Sequence, residues 1–149
     1  MHKNKKVVDI YAKSGMITSA KDRMKVRRSG QGGTDMIRAG IIGATGYAGG
    51  ELVRILKNHK DAEIVWYGSK SYIDQKYSRV YQNMFQIVED VCSDDNLAAL
   101  AKQVDVIFTA TPQGFLAGLL NEEILSCTKI VDLSADYRIK DVSVYEKWY

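Results

Sequence analysis

From Met36 onward the sequence predicts an α/β domain with a doubly wound, mostly parallel sheet. Three observations carry this. Short apolar runs alternate with helical patterns, the runs end in glycine or proline, and a glycine-rich corner separates the first run from the first helix. Short apolar runs of this kind suit strands buried on both faces, as in a parallel sheet covered by helices. Right-handed crossovers then place those helices on both sides.

The elements run in order along the chain. "MIRAGIIG" (Met36–Gly43) is a buried strand by its length and β-branching. "YAGGELVRILKNH" (Tyr47–His59) sets Leu52, Val53, Ile55 and Leu56 on a helical face, with Glu51, Arg54 and Lys57 largely opposite. "AEIVWYG" (Ala62–Gly68) is a second strand. A polar stretch rich in Ser, Lys and Tyr (Ser69–Asn83) comes next, and "FQIVED" (Phe85–Asp90) reads as a short strand. "DDNLAALAKQV" (Asp94–Val104) is a capped helix whose leading acids complement the helix dipole. "VDVIFTAT" (Val104–Thr111) is a strand stopped by Pro112, "GFLAGLLNEEIL" (Gly114–Leu125) a helix, and "TKIVDLS" (Thr128–Ser134) the last strand.

Composition bounds the function. The chain of 149 residues has the length of one domain. Its two cysteines, Cys92 and Cys127, form no disulfide framework or metal set, and two histidines leave little for a zinc site or a histidine-centred triad. No apolar stretch approaches the roughly 18 residues of a membrane span, and no signal peptide is evident. A cytoplasmic protein with reduced thiols is expected. Charge is uneven. Residues 1–35 hold nine Lys/Arg against three Asp, whereas the remainder holds 12 Lys/Arg and 15 Asp/Glu. Residues 1–35 read as a basic, poorly ordered leader or extension with a linker at "RRSGQGGTD", and Met36 is a candidate initiator. A nucleic-acid role for that leader is the competing reading; it predicts steeply salt-dependent binding.

The glycine corner is where chemistry concentrates. In a doubly wound sheet the first strand-to-helix turn faces a ligand crevice at the carboxyl ends of the strands. Here that turn reads Gly43-Ala44-Thr45-Gly46-Tyr47-Ala48-Gly49, a G-x-x-G-x-x-G spacing. Gly43 permits the tight turn, Gly46 lets a pyrophosphate reach the backbone, and Gly49 lets the helix pack on the strand. The helix N-terminus supplies N–H groups and a positive dipole end. A turn kept only for packing is the plainer alternative. The second strand ends in Gly68, Ser69, Lys70 and Ser71, with no carboxylate to take a ribose hydroxyl. A lysine between hydroxyls suits a 2′-phosphate, so NADP is the expected dinucleotide. Thr111, Pro112, Gln113 and Gly114 are expected beneath the cofactor, with a Gly114 helix offering a further N-terminus. Ser134, Asp136 and Arg138 belong either to that site or to a cap tying the last strand to the segment after it. Cys127 precedes a strand on the far edge of the sheet. Cys92 follows acids that would raise its thiol pKa, so neither is a candidate nucleophile.

Together, "AGIIGATGYAGGELVRILKNHKDAEI", "GSKSY", "DVIFTATPQG" and "VDLSADYRIKDVSVYEKWY" resemble the amino-terminal part of N-acetyl-γ-glutamyl-phosphate reductase, of the semialdehyde dehydrogenase superfamily. The resemblance runs in order from about Met36 to Tyr149. It implies a Rossmann-type domain, residues 36–149, that is incomplete relative to the family. It also implies an NADPH-dependent oxidoreductase of arginine biosynthesis, homo-oligomeric when complete. From the sequence itself no membrane partner is expected, and nucleic acid is the less favoured partner. In that family a cysteine thiolate attacks the acyl phosphate, phosphate leaves, and hydride from NADPH reduces the thioester to the semialdehyde, with a histidine as acid/base partner. By the resemblance Gly43, Thr45, Gly46, Tyr47, Ala48 and Gly49 would hold the pyrophosphate. Ser69, Lys70 and Ser71 would read the 2′-phosphate, and Pro112, Gln113 and Gly114 would border the nicotinamide. The family's P-G-C motif does not occur here, since Pro112 is followed by Gln113. No catalytic residue is assigned, and these 149 residues alone are expected not to reduce acyl phosphates. A stand-alone NADP-binding module and a part of an aspartate-semialdehyde-dehydrogenase-like reductase are the alternatives.

Overall fold

The computed structural model describes residues 36–148; the leader expected at residues 1–35 lies outside the described residues. Four parallel strands form one sheet in the order β2-β1-β3-β4. They are β1 (Ile37–Ile42), β2 (Ala62–Tyr67), β3 (Val106–Thr109) and β4 (Lys129–Asp132). β1 lies at the centre, paired with β2 from Ile37↔Ala62 to Ile41↔Tyr67 and with β3 from Ala39↔Val106 to Ile42↔Thr109. Helix α1 (Tyr47–Lys57) joins β1 to β2, and α2 (Tyr77–Val80) and α3 (Leu97–Ala101) lie between β2 and β3. Helix α4 (Glu122–Cys127) precedes β4, and α5 (Val142–Trp148) comes after it.

The apolar strands are covered on both faces, as a doubly wound sheet requires. Successive strand side chains point to opposite faces, so Ile41 and Ile42 enter different cores. Ile41 packs with Val53 of α1, Tyr67, Tyr77 and Val88. Ile42 packs with Leu97 and Leu100 of α3, Ile107 and Ile124 of α4. All of these side chains are buried. Burying one such aliphatic side chain is worth roughly 1.5–3 kcal/mol.

Four expectations are corrected. Phe85–Asp90 is not a strand: Met84 and Val88 are the buried residues, with Phe85 and Ile87 exposed. That spacing belongs to a turn, which Gln86 closes with a φ of 63°. The helix expected from Asp94 covers only Leu97–Ala101. Its cap is Asn96, whose side chain accepts from Ala99 N–H at 3.1 Å, while Asp94 and Asp95 stay outside the first turn. The helix expected over Gly114–Leu125 is broken into a 3-10 turn (Leu116–Gly118) and α4, which Asn121 caps by accepting from Ile124 N–H at 2.9 Å. An internal asparagine competes for backbone donors and restarts the helix. Finally, Ile55 is exposed, because Gly49, Leu52, Val53 and Leu56 are the positions of α1 that turn inward.

Candidate functional site

The order of strand addition reverses at β1: its crossover leads to β2 on one side, and β3 and β4 lie on the other. A crevice opens at such a switch point, outside the carboxyl ends of the strands. Here it is a cleft of about 250 Å³. Its back is the glycine corner. Gly43 leaves β1 with φ +76°, and a Cβ there would meet the Ala110 carbonyl oxygen at 2.5 Å, so β1 and β3 close together only around glycine. Gly49 sits where a Cβ would lie 2.0 Å from the Gly43 oxygen, which packs the first turn of α1 onto the corner.

Gly46 differs from both. It caps α1 in an extended conformation (φ −80°, ψ 170°) with no side-chain acceptor. A Cβ at Gly46 has only the Gly43 oxygen nearby, at 3.4 Å. The first N–H groups of a helix lack intrahelical partners, and a glycine cap leaves the approach to those of α1 clear. An anion is favoured there by the N–H groups and the helix dipole together.

The opposite wall comes from the end of β2. Gly68 and Ser93 form a parallel bridge beside β2, with Ser93 N–H donating to Tyr67 O and Ser69 N–H to Ser93 O. The Thr45 and Ser69 hydroxyls hydrogen-bond at 2.8 Å, which ties the corner to this wall. Ser69 is 1% exposed, whereas Lys70 and Ser71 are exposed at the rim. The Lys70 ammonium lies 4.6 Å from the Phe115 ring centroid, a cation–π contact that holds it beside the cleft.

Eight of the thirteen residues expected at the dinucleotide from sequence line the cleft: Gly43, Thr45, Gly46, Ser69, Lys70, Ser71, Thr111 and Pro112. Tyr47 is 99% exposed, Ala48 is exposed, and Gly49 is buried under the turn. Gln113 and Gly114 face the C-terminal segment instead. Gln113 Nε2 donates to the Tyr145 hydroxyl, and Gly114 N–H donates to Asp136 Oδ2 at 2.6 Å. The helix N-terminus expected at Gly114 is therefore replaced by a turn whose N–H an acid already occupies. The last motif makes the contacts of a cap. Arg138 donates to Leu133 O and Ser134 O, and Asp136 N–H donates to Ser134 Oγ. These residues cap the end of β4.

Asp95, Ala110 and Phe115 complete the lining. Asp95 Oδ1 accepts from Gly43 N–H at 3.4 Å. Burial pushes its carboxyl up, against the opposing effects of that N–H and of Lys70. No local pattern marks it, because the Ser93 bridge, not proximity in sequence, brings it beside Gly68. Thr111 Oγ1 is buried without a hydrogen-bond partner, which suits a ligand group entering the cleft. Cys92 is buried in the core, and burial, rather than the neighbouring acids, raises its thiol pKa. Cys127 ends α4 just before β4. Among the described residues no cluster of His, Cys, Asp and Glu could hold a metal ion, and no helix is long and apolar enough to cross a membrane.

Known proteins share this domain. Residues 38–146 match the model of the semialdehyde dehydrogenase NAD-binding domain. Proteins named N-acetyl-gamma-glutamyl-phosphate reductase from Lachnoclostridium phytofermentans and Lachnospira eligens are each 71% identical over 114 residues. One from Campylobacter jejuni is 48% identical over the same length. The match takes in 76% of this chain and 33% of the L. phytofermentans protein, so the chain spans about a third of its curated relatives. An aspartate semialdehyde dehydrogenase from Candida albicans, solved with NADP, shares the fold at 21% identity and a TM-score of 0.52, over 70% of this chain and 31% of that one. The chain therefore belongs to the semialdehyde dehydrogenase family, and residues 38–146 are its NAD-binding domain.

Proposed function

We propose that this chain is the NADP-binding part of an N-acetyl-γ-glutamyl-phosphate reductase, which reduces an acyl phosphate to a semialdehyde in arginine biosynthesis. The observation that carries this is 71% identity, over 114 residues, to relatives of that name. The aspartate-semialdehyde alternative has a shared fold at 21% identity in its favour. In this reading the open approach at Gly46 takes the pyrophosphate, with Gly43, Thr45, Tyr47, Ala48 and Gly49 shaping the turn. Lys70 and Ser71 meet a 2′-phosphate, with Ser69 fixing their loop through Thr45. Pro112 borders the nicotinamide side, and Gln113 and Gly114 hold the loop that carries it. Bound NADPH would supply hydride. No thiol of this chain stands at the cleft, so these 149 residues contribute dinucleotide binding and not the nucleophile. The complete enzyme would take a small-molecule acyl phosphate and pair with a second copy of itself. Two free cysteines fit a reducing, cytoplasmic setting.

One feature favours a second dinucleotide. Asp95 brings a carboxylate to the end of β2, where NAD sites use one to hold a ribose hydroxyl. Titrating NADPH and NADH into the chain and its Lys70→Ala variant separates the two. The NADP reading predicts that the substitution lowers the preference for NADPH by about tenfold, the worth of one charge-assisted contact. Tighter binding of NADH than of NADPH by the unaltered chain would give the site to NAD.

A further inference from the structure

Three consecutive carbonyls of the glycine corner are held by two tyrosine hydroxyls from a distant segment. Tyr77 OH donates to Ala44 O at 3.0 Å. Tyr81 OH lies 3.2 Å from Thr45 O and 3.0 Å from Gly46 O, and donates between them. The two tyrosines are one helical turn apart, with rings stacked at 5.4 Å. Tyr77 is fully buried and packs on Tyr67 at 5.3 Å. The Tyr81 hydroxyl also lies against Gly50, where a Cβ would approach it to 2.9 Å.

The N–H and C=O of a trans peptide point in opposite directions. Holding the Ala44, Thr45 and Gly46 carbonyls on the tyrosine side turns the N–H groups of Thr45, Gly46 and Tyr47 the other way. The Gly46 N–H closes the turn on Gly43 O at 3.0 Å. Those of Thr45 and Tyr47 are directed away from the tyrosines, and Thr45 and Gly46 line the cleft. Helix α1 itself fixes the Gly46 carbonyl, which accepts from Gly50 N–H at 2.8 Å. The tyrosines reinforce that bond and hold the Ala44 and Thr45 carbonyls in a turn whose glycines allow alternative backbone states. We propose that Tyr77 and Tyr81 are positioning residues of the dinucleotide site, which set the anion affinity of the glycine corner through hydroxyls that never touch the ligand. The proposal rests on the dinucleotide reading above.

The test uses the 149-residue chain and its Tyr81→Phe variant, which keeps the ring and its stacking. Each is titrated with NADPH and with adenosine 2′-phosphate, which lacks the pyrophosphate. Tyr81→Phe is expected to weaken NADPH binding about fivefold to tenfold, the usual worth of one such hydrogen bond. Affinity for adenosine 2′-phosphate is expected to change by less than about twofold, since the Lys70 loop is left intact. Unchanged NADPH affinity would overturn the proposal, and so would equal losses for both ligands, which mark general loosening. If Tyr81→Phe fails to fold, Tyr77→Phe makes the same comparison through the Ala44 carbonyl. An unaltered chain that binds no NADPH would overturn the dinucleotide reading and this proposal with it. Binding indifferent to either hydroxyl would overturn the proposal alone.

Discussion

The glycine corner and the excursion from Ser69 to Asn96 meet at one crevice but are built from opposite resources. The corner is backbone against backbone: Gly43 fits against Ala110, and Gly49 against Gly43, because neither has a side chain. The excursion has little regular structure and is held by side chains and isolated bridges. Tyr77 and Tyr81 reach the corner's carbonyls, and Val91 bridges Lys76. Its acids and bases pair locally, as in the 2.9 Å contact of Lys76 with Glu89. Close approach of main chains makes a rigid but intolerant corner. Long polar side chains make a support that can be weakened by degrees.

Substitutions that add one methyl group should break this contrast most sharply. Gly49→Ala places a Cβ 2.0 Å from a carbonyl oxygen that cannot move without shifting α1. It is expected to cost about 3 kcal/mol or more in a urea melt, at the upper end of overpacking effects. Gly118→Ala meets nothing within 4 Å and should stay within about 0.5 kcal/mol of the parent. Equal costs at the two positions would refute the close-approach account of the corner.

The excursion should respond more gently, and to pH. Lys76 first, then the Gln86 N–H and Ser78, hold the Glu89 carboxyl down to about 2. A carboxyl bound more tightly to its charge when folded contributes stability above its unfolded pKa, near 4.3, and loses it as pH falls through the folded value. The pair is exposed, so salt screens it. Protection of the amides across residues 76–92, relative to their intrinsic exchange at each pH, is therefore expected to fall between about pH 4.5 and 2 more steeply than the global unfolding curve requires. Glu89→Gln should show the lower protection already at pH 6. Identical profiles for variant and parent would leave the ion pair without a part in holding the excursion.

The same contrast explains how much of the molecule is legible in the sequence. The four strands and α1 announce themselves through local periodicity and length, and the corner through glycine spacing. Residues placed by neighbours in sequence are therefore found, as with Gly43, Gly46 and Lys70 at the cleft. The features that stay hidden depend on distant partners. Asp95 gives no local sign of reaching Gly43, because a single bridge at Ser93 delivers it. Tyr77 and Tyr81 have helical spacing in a polar stretch, a signal that indicates a shared face but not the carbonyls they hold. Gly114 reads as the start of a helix, yet Asp136, distant in sequence, takes its N–H. The break between Leu116–Gly118 and α4 is written in Asn121, a capping residue followed by Glu122 and Glu123 in the first turn of α4.

The central claim is that the open approach at Gly46 takes the pyrophosphate of a dinucleotide. Gly46→Ala tests it most directly, because φ −80° and a 3.4 Å nearest contact let alanine fit the fold. The measurement is NADPH affinity by titration calorimetry beside a thermal melt of the same variant. Binding is expected to weaken at least about tenfold, as the new methyl group fills the approach to the helix N-terminus, with a change in Tm below about 4 °C. A variant that melts like the parent and binds NADPH equally well would contradict the claim.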